Sequence, residues 1–355
     1  MNGFFKKGVL FIGMGILTSL TVAGVACDTA ACKEVEMLTL DVISYEDLAK
    51  EDHIAMTQLK NALLEKGIVG IKSIPEFAER LEDFIDHAKE FSSLPFAVKE
   101  QYSPNREAGD MFGYELGKER FRRTDGSWAI DDSKASYYAL VPNSSLNKWP
   151  VECDLQTPFL EIGRLMFDTG KKIISALGIS TPSTDLTLDQ LTGVGRMLHY
   201  KTKAEGETQN PLWCGAHFDH GLITALLPAF YFANGKALAE PSEAGLFIKI
   251  KGGDTFYKVP SDDKDVMLFQ VGEFGQLVMN DTIQATEHRV HKAKEGVERY
   301  TMALFINPSL DTQITSYSEL VKDSRYGAGP GEPCVFRRWH EGSLNRYLVK
   351  PVIAP

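Results

Sequence analysis

Trp213-Cys214-Gly215-Ala216-His217-Phe218-Asp219-His220-Gly221 is the stretch on which the reading of this chain turns. It holds His-x-Asp in an extended context. On a strand, residues two apart point to the same face, so His217 and Asp219 converge where one metal ion fits. Alone the pair is a weak sign, because chance pairs occur among eight histidines and 48 acidic residues.

Residues further along raise its value. Asn280-Asp281 reads as a hairpin turn, and Thr286-Glu287-His288-Arg289-Val290 continues as a strand. Arg299-Tyr300-Thr301 then heads the apolar strand Met302 to Ile306, with Arg299 and Thr301 on one face. Two histidines and a carboxylate on one side of a metal leave neighbouring positions open for a chelating co-substrate and O2. The planar fork of Arg299 takes a carboxylate bidentately, and the Thr301 hydroxyl adds a donor. An arginine there is costly unless it meets an anion or stays in water, and the sequence leaves both readings open. His220 and His291 have the wrong strand parity; His220 reads as a packing or supporting residue and His291 as a surface one. His199 reads as structural, and Tyr200 as either core or co-substrate contact.

Short apolar segments separated by turn residues surround these motifs: Gly195 to Tyr200, Leu222 to Leu227, Leu246 to Ile250, Val266 to Phe269, Gln276 to Met279 and Tyr300 to Ile306. Many short strands at this spacing mean a sandwich or barrel. Upstream the period is helical: Leu48 to Lys66, closed by Gly67; a second helix opened by Pro75 and ending near Leu94-Pro95; and Leu155 to Leu177, stopped by Gly178. Between the last two, Asn105 to Trp149 reads as loops and short strands over a surface. The expected fold is α+β with a mainly β core: a double-stranded β-helix, or jelly roll, under a helical amino-terminal half. The expected segments are 38–180 for the helical region, 190–310 for the jelly roll and 311–355 for a carboxy-terminal piece.

A composition 43% hydrophobic and 24% charged is ordinary for a globular protein. The net charge of −10 without a basic run argues against nucleic acid as a partner. The five cysteines form no CxxC pair, and Cys214 reads as a small packing residue rather than a ligand. Lys6 and Lys7 precede an uncharged apolar stretch, Gly8 to Ala26, with small residues at its end. That is the order of a signal peptide, or of an anchor that leaves the rest of the chain outside. Residues 1–26 therefore point to export or membrane attachment, with a cytoplasmic protein as the alternative.

Taken together, the motifs resemble the isopenicillin-N-synthase-like Fe(II)/2-oxoglutarate dioxygenases. The resemblance rests on His217-Phe218-Asp219-His220-Gly221 with Thr224, on His288-Arg289-Val290 and on Arg299-Tyr300-Thr301. Leu198-His199-Tyr200, Gly272-Glu273 and Asn147-Lys148-Trp149-Pro150 support it, so it runs from about residue 38 to 310. It implies iron ligands at His217, Asp219 and His288. It also implies that Arg299 and Thr301, helped by Tyr200, anchor the distal carboxylate of 2-oxoglutarate. The implied activity is O2-dependent oxidation, most simply hydroxylation, of a small organic molecule, with release of succinate and CO2. Tyr114, Phe121, Tyr137 and Tyr138 fall where the resemblance places the substrate pocket. Three departures stand out: Thr301 replaces the usual serine, Asp281 a common glycine, and Leu198 an asparagine that in some members helps place the co-substrate. The rival readings are an oxidase of the same fold that does not use 2-oxoglutarate, and a non-catalytic binding protein. A zinc hydrolase lacks an HExxH-type base.

Overall fold

The strand Val297–Asn307 is nearly buried along its length, and its two faces meet different layers. Tyr300, Met302, Leu304 and Ile306 pack into the large core beneath the helices. Arg299, Thr301, Ala303 and Phe305 face a pocket instead. The period-2 alternation of a strand thus divides apolar core from polar site. The computed structural model describes residues 35–118, 120–122, 128–179, 186–201 and 212–347.

Val297–Asn307 lies inside a ten-stranded sheet. On one side it pairs antiparallel with Thr192–Lys201, which pairs with Lys134–Val141 and so leads to Gly113–Leu116. On the other it pairs with Ile223–Leu226, followed by Val266–Val271, Ile68–Lys72 and the parallel edge strand Val42–Ser44. A smaller antiparallel sheet runs Phe256–Lys258, Gly245–Lys249, Glu287–His291, Leu212–His217. Two apolar clusters, one around Tyr200, Trp213 and Val290 and one around Ile68, Ile248 and Leu268, join the two sheets. This is the expected jelly roll.

The helices cover the outer face of the large sheet. Helix Gln156–Leu177 begins at Leu155 and ends at Gly178, whose φ of 67° is the left-handed cap that favours glycine. Its residues Phe159, Ile162, Met166 and Ile173 are fully buried. Where it crosses the sheet, a Cβ on Gly195 would sit 2.7 Å from the Phe159 ring, so a larger residue would hold helix and strand apart. Helix Phe77–Ser93 matches the expected span. The first expected helix is shorter: Asp52 caps His53–Glu65, and Glu51 at φ 54° breaks it from Tyr45–Ala49.

Three expectations fail. Gln276 to Met279 belongs to helix Glu273–Val278, because Phe274, Leu277 and Val278 recur at helical spacing behind Gly272. Asn280 and Asp281 consequently end a helix instead of forming a hairpin turn; their φ values of 46° and 62° are left-handed. The region 105–149 is not simply wrapped over a surface, since Lys134–Val141 is an interior strand of the large sheet with Tyr137 fully buried. Residues 1–26 lie outside the described residues. Among those described, no helix is long and apolar enough to cross a membrane.

The turn after His217 is held by backbone packed on backbone. A Cβ on Gly272 would meet the Gly221 carbonyl oxygen at 2.3 Å and that of Asp219 at 3.2 Å. Gly272→Ala is therefore expected to cost about 1–3 kcal/mol, seen as a lower melting temperature of the metal-free protein. Gly215→Ala is the control, because its Cβ would meet nothing within 4 Å.

Candidate metal centre and co-substrate pocket

His217 and His288 are cross-strand partners in the small sheet, and their ring centroids lie 4.2 Å apart. Asp219 lies two residues beyond, just past the end of strand Leu212–His217. The turn, rather than strand parity, brings its carboxylate back. Asp219 Oδ1 is 3.8 Å from Nε2 of both His217 and His288. One ligand atom from each residue falls within 4.8 Å of the others, the only such group of three or more among the described residues.

Neighbours fix the orientation of these groups. His217 Nδ1 is 2.8 Å from the Gly215 carbonyl and His288 Nδ1 is 3.0 Å from that of Thr286. With Nδ1 donating to a carbonyl, Nε2 carries the lone pair that a metal takes. Gln270 Nε2 donates to Asp219 Oδ2 at 2.6 Å, leaving Oδ1 toward the histidines. Burial alone would raise the Asp219 pKa, but His288 and His217 hold it below the usual carboxylate range. Burial and the neighbouring His217 push His288 down to about 4. Burial opposes charge on His217 too, yet Cys214, Asp219 and the Gly215 carbonyl outweigh it and lift the ring to about 9.

The same pocket reaches Arg299, Thr301 and Tyr200. Arg299 is buried, at 6% exposure, which removes the solvated-strand-end reading. Its Nε donates to the Tyr231 hydroxyl at 3.1 Å, which in turn donates to Glu240 at 2.8 Å; Glu240 pairs with Lys258 at 3.0 Å. The guanidinium lies 5.1 Å from the Tyr200 ring. Its Nη1 is buried with no hydrogen-bond partner, as is the Oγ of Ser261, which also lines the pocket. Thr301 Oγ1 donates to the Leu227 carbonyl at 2.8 Å. A buried guanidinium with a spare donor, in a pocket that also presents the unpartnered Ser261 hydroxyl, fits a carboxylate.

The remaining expectations divide. His220 does point away from the triad, onto His340 at 2.9 Å. His199 is structural, stacked 4.2 Å from Tyr300. His291 is not a surface residue: its ring stacks on Phe247 at 4.0 Å and its Nε2 is buried. Cys214 is half-buried, lines the pocket and lies 3.8 Å from His217 Nδ1. Leu198 lines the pocket and brings no polar atom to it. Tyr114 and Tyr137 belong to the core, Tyr138 packs on Arg196, and the Phe121 side chain lies outside the described residues. The sequence reading missed Gln270, Tyr231, Glu240 and Arg196. Of these only Gln270 had a local sign, as the single polar residue in Val266–Val271.

A His217 pKa raised to about 9 favours the protonated ring at neutral pH, so a metal binding at Nε2 displaces a proton. Co(II) affinity, titrated anaerobically, is therefore expected to rise about tenfold per pH unit from pH 7 toward pH 9 and then level off. An affinity flat across that range would contradict the raised His217 pKa.

The sequence profile of the 2OG-Fe(II) oxygenase superfamily matches residues 196–308. A 2-oxoglutarate-dependent dioxygenase, gloF of Glarea lozoyensis, is 26% identical over 322 residues, covering 81% of this chain and 93% of the relative. Jasmonate-induced oxygenase 2 of Arabidopsis thaliana is 23% identical, over 79% of this chain and 73% of the relative. A full-length Neurospora crassa protein crystallised in complex with alpha-KG superposes with a TM-score of 0.65 at 21% identity, covering 88% of this chain and 99% of that one. The structure of JOX2 with 2OG, Fe and JA superposes with a TM-score of 0.61 at 20% identity, covering 90% and 92%. The stretch 196–308, which carries the His-Asp-His cluster on the jelly roll, is thus similar to the 2OG-Fe(II) oxygenase superfamily.

Proposed function

We propose that the chain is an Fe(II)- and 2-oxoglutarate-dependent dioxygenase that oxidises a small organic molecule. In this reading His217, Asp219 and His288 hold the iron, and Arg299 and Thr301, over Tyr200, hold the distal carboxylate of 2-oxoglutarate. One observation carries it: a single pocket contains both the His-Asp-His cluster and a buried arginine with an unused donor. When bound, iron and 2-oxoglutarate supply an oxidant from O2, with succinate and CO2 as by-products.

The protein's part is placement. His217 and His288 present Nε2 because carbonyls hold Nδ1, and Gln270 keeps the Asp219 carboxylate turned toward them. The chain Arg299–Tyr231–Glu240–Lys258 fixes the guanidinium before any ligand arrives. Leu246, Val290, Ala303 and Phe305 give the pocket apolar walls that limit water.

Arg196 marks the substrate end. Arg196, Leu198 and Tyr200 alternate onto the pocket face of strand Thr192–Lys201, opposite Ala303, Thr301 and Arg299. Four strand residues span roughly 13 Å. Arg196 starts from the other end of that face, and its guanidinium is steadied by the Ser136 hydroxyl at 2.8 Å and by Tyr138. This placement supports contact of Arg196 with the substrate. The apolar stretch from Gly8 to Ala26 supports export or membrane attachment, which fractionation with amino-terminal sequencing would test.

A broad metabolite panel, assayed for succinate release coupled to O2 uptake, tests the activity. Coupled succinate is expected; O2 uptake without succinate would favour an oxidase that does not use 2-oxoglutarate. Arg299→Gln is expected to raise the KM for 2-oxoglutarate roughly 10- to 100-fold, as loss of a charged hydrogen bond does. Arg196→Gln should raise the KM of the substrate so found and leave that of 2-oxoglutarate unchanged.

A further inference from the structure

The Asp219 turn is gripped from outside the jelly roll. Trp339 and His340 sit on the carboxy-terminal helix Phe336–Tyr347. Trp339 is fully buried, and its indole Nε1 donates to the His220 carbonyl at 3.1 Å. His340 Nδ1 meets His220 Nε2 at 2.9 Å, one ring donating and the other accepting. Phe336 packs against both Phe274 and His340.

A second path joins the same helix to the same turn. The Glu273 backbone N–H donates to the Asp219 carbonyl at 2.7 Å. The Glu273 carboxylate takes both terminal nitrogens of Arg325, at 2.5 and 2.7 Å. Arg325 also lies 3.9 Å over the Trp339 ring and donates to Ser343, whose hydroxyl returns to the Trp339 carbonyl. Two consecutive carbonyls of the turn, those of Asp219 and His220, therefore depend on the helix, one through Glu273 and one directly.

We propose that helix Phe336–Tyr347 is a clamp on the metal centre, with Trp339 and His340 as positioning residues that set the Asp219 carboxylate in place. The proposal rests on the reading of His217, Asp219 and His288 as metal ligands. Neither residue touches a metal or a substrate. They act through the main chain of the turn, where a small displacement would open the angle between Asp219 and the two histidines. Supports of this kind commonly govern metal affinity by 10- to 100-fold.

The test is anaerobic Co(II) titration of the full chain, followed by the cobalt absorption bands, beside the melting temperature of the metal-free protein. Trp339→Phe keeps the ring and loses the donor; His340→Phe keeps the bulk and loses the hydrogen bond. Each is expected to weaken Co(II) binding at least tenfold, with altered bands; the metal-free melting temperature falls in Trp339→Phe, which leaves a cavity at a fully buried site, and changes less in His340→Phe. His340→Gln, whose amide can restore the bond to His220, is expected to recover most of the affinity. Unchanged Co(II) affinity in Trp339→Phe and His340→Phe would overturn the proposal, whether or not the melting temperature falls. A wild-type protein whose Co(II) binding is insensitive to Asp219→Ala would instead refute the metal centre itself, and the clamp with it.

Discussion

The pairing of His217 with His288 across two antiparallel strands is the constraint from which the rest of the site follows. Directly opposed residues bring their side chains within a few ångströms of each other. A buried imidazole facing a half-buried one would be a poor core pair. Here their Nδ1 atoms are satisfied by Gly215 and Thr286, and both Nε2 atoms look toward the Asp219 carboxylate. The Asp219 carboxylate faces both rings and favours the protonated form of His217 beside it.

A second buried charge stands at the other end of the pocket. Arg299 does not collapse onto an acidic partner; it is oriented by Tyr231, which is itself held by Glu240 and Lys258. Leaving Nη1 unpaired in the interior is costly, and such costs persist where a ligand recovers them. In the function proposed, the pocket takes two polar groups at separate places, a metal at one end and a carboxylate at the other. A molecule with a chelating end and a distal carboxylate joins them. A third polar side chain, Arg196, stands further along the same pocket face.

The motifs were legible because each is short and local. His217-x-Asp219, His288 and Arg299-x-Thr301 declare their chemistry within three residues. The alternation of the strands behind them identified the jelly roll. What was hidden depends on distant pairings. Nothing near Tyr231 or Glu240 shows that they orient Arg299, and nothing near Trp339 or His340 shows that they hold the turn at His220. Lys134–Val141 escaped notice as an interior strand because Lys134 and Ser136 put polar residues at buried positions. Gln276 to Met279 was too short an apolar run to separate strand from helix until the contacts of Phe274 and Leu277 were known. Burial also decided Arg299, where sequence could weigh solvent against anion but not choose.

The central claim is that one pocket holds iron and 2-oxoglutarate together. Anaerobic addition of Fe(II) and then 2-oxoglutarate to the purified protein, followed by visible absorption, tests it most directly. A broad charge-transfer band that needs both additions and disappears in Asp219→Ala is the predicted result. No band at saturating Fe(II) and 2-oxoglutarate, or a band that survives in Asp219→Ala, would contradict the account.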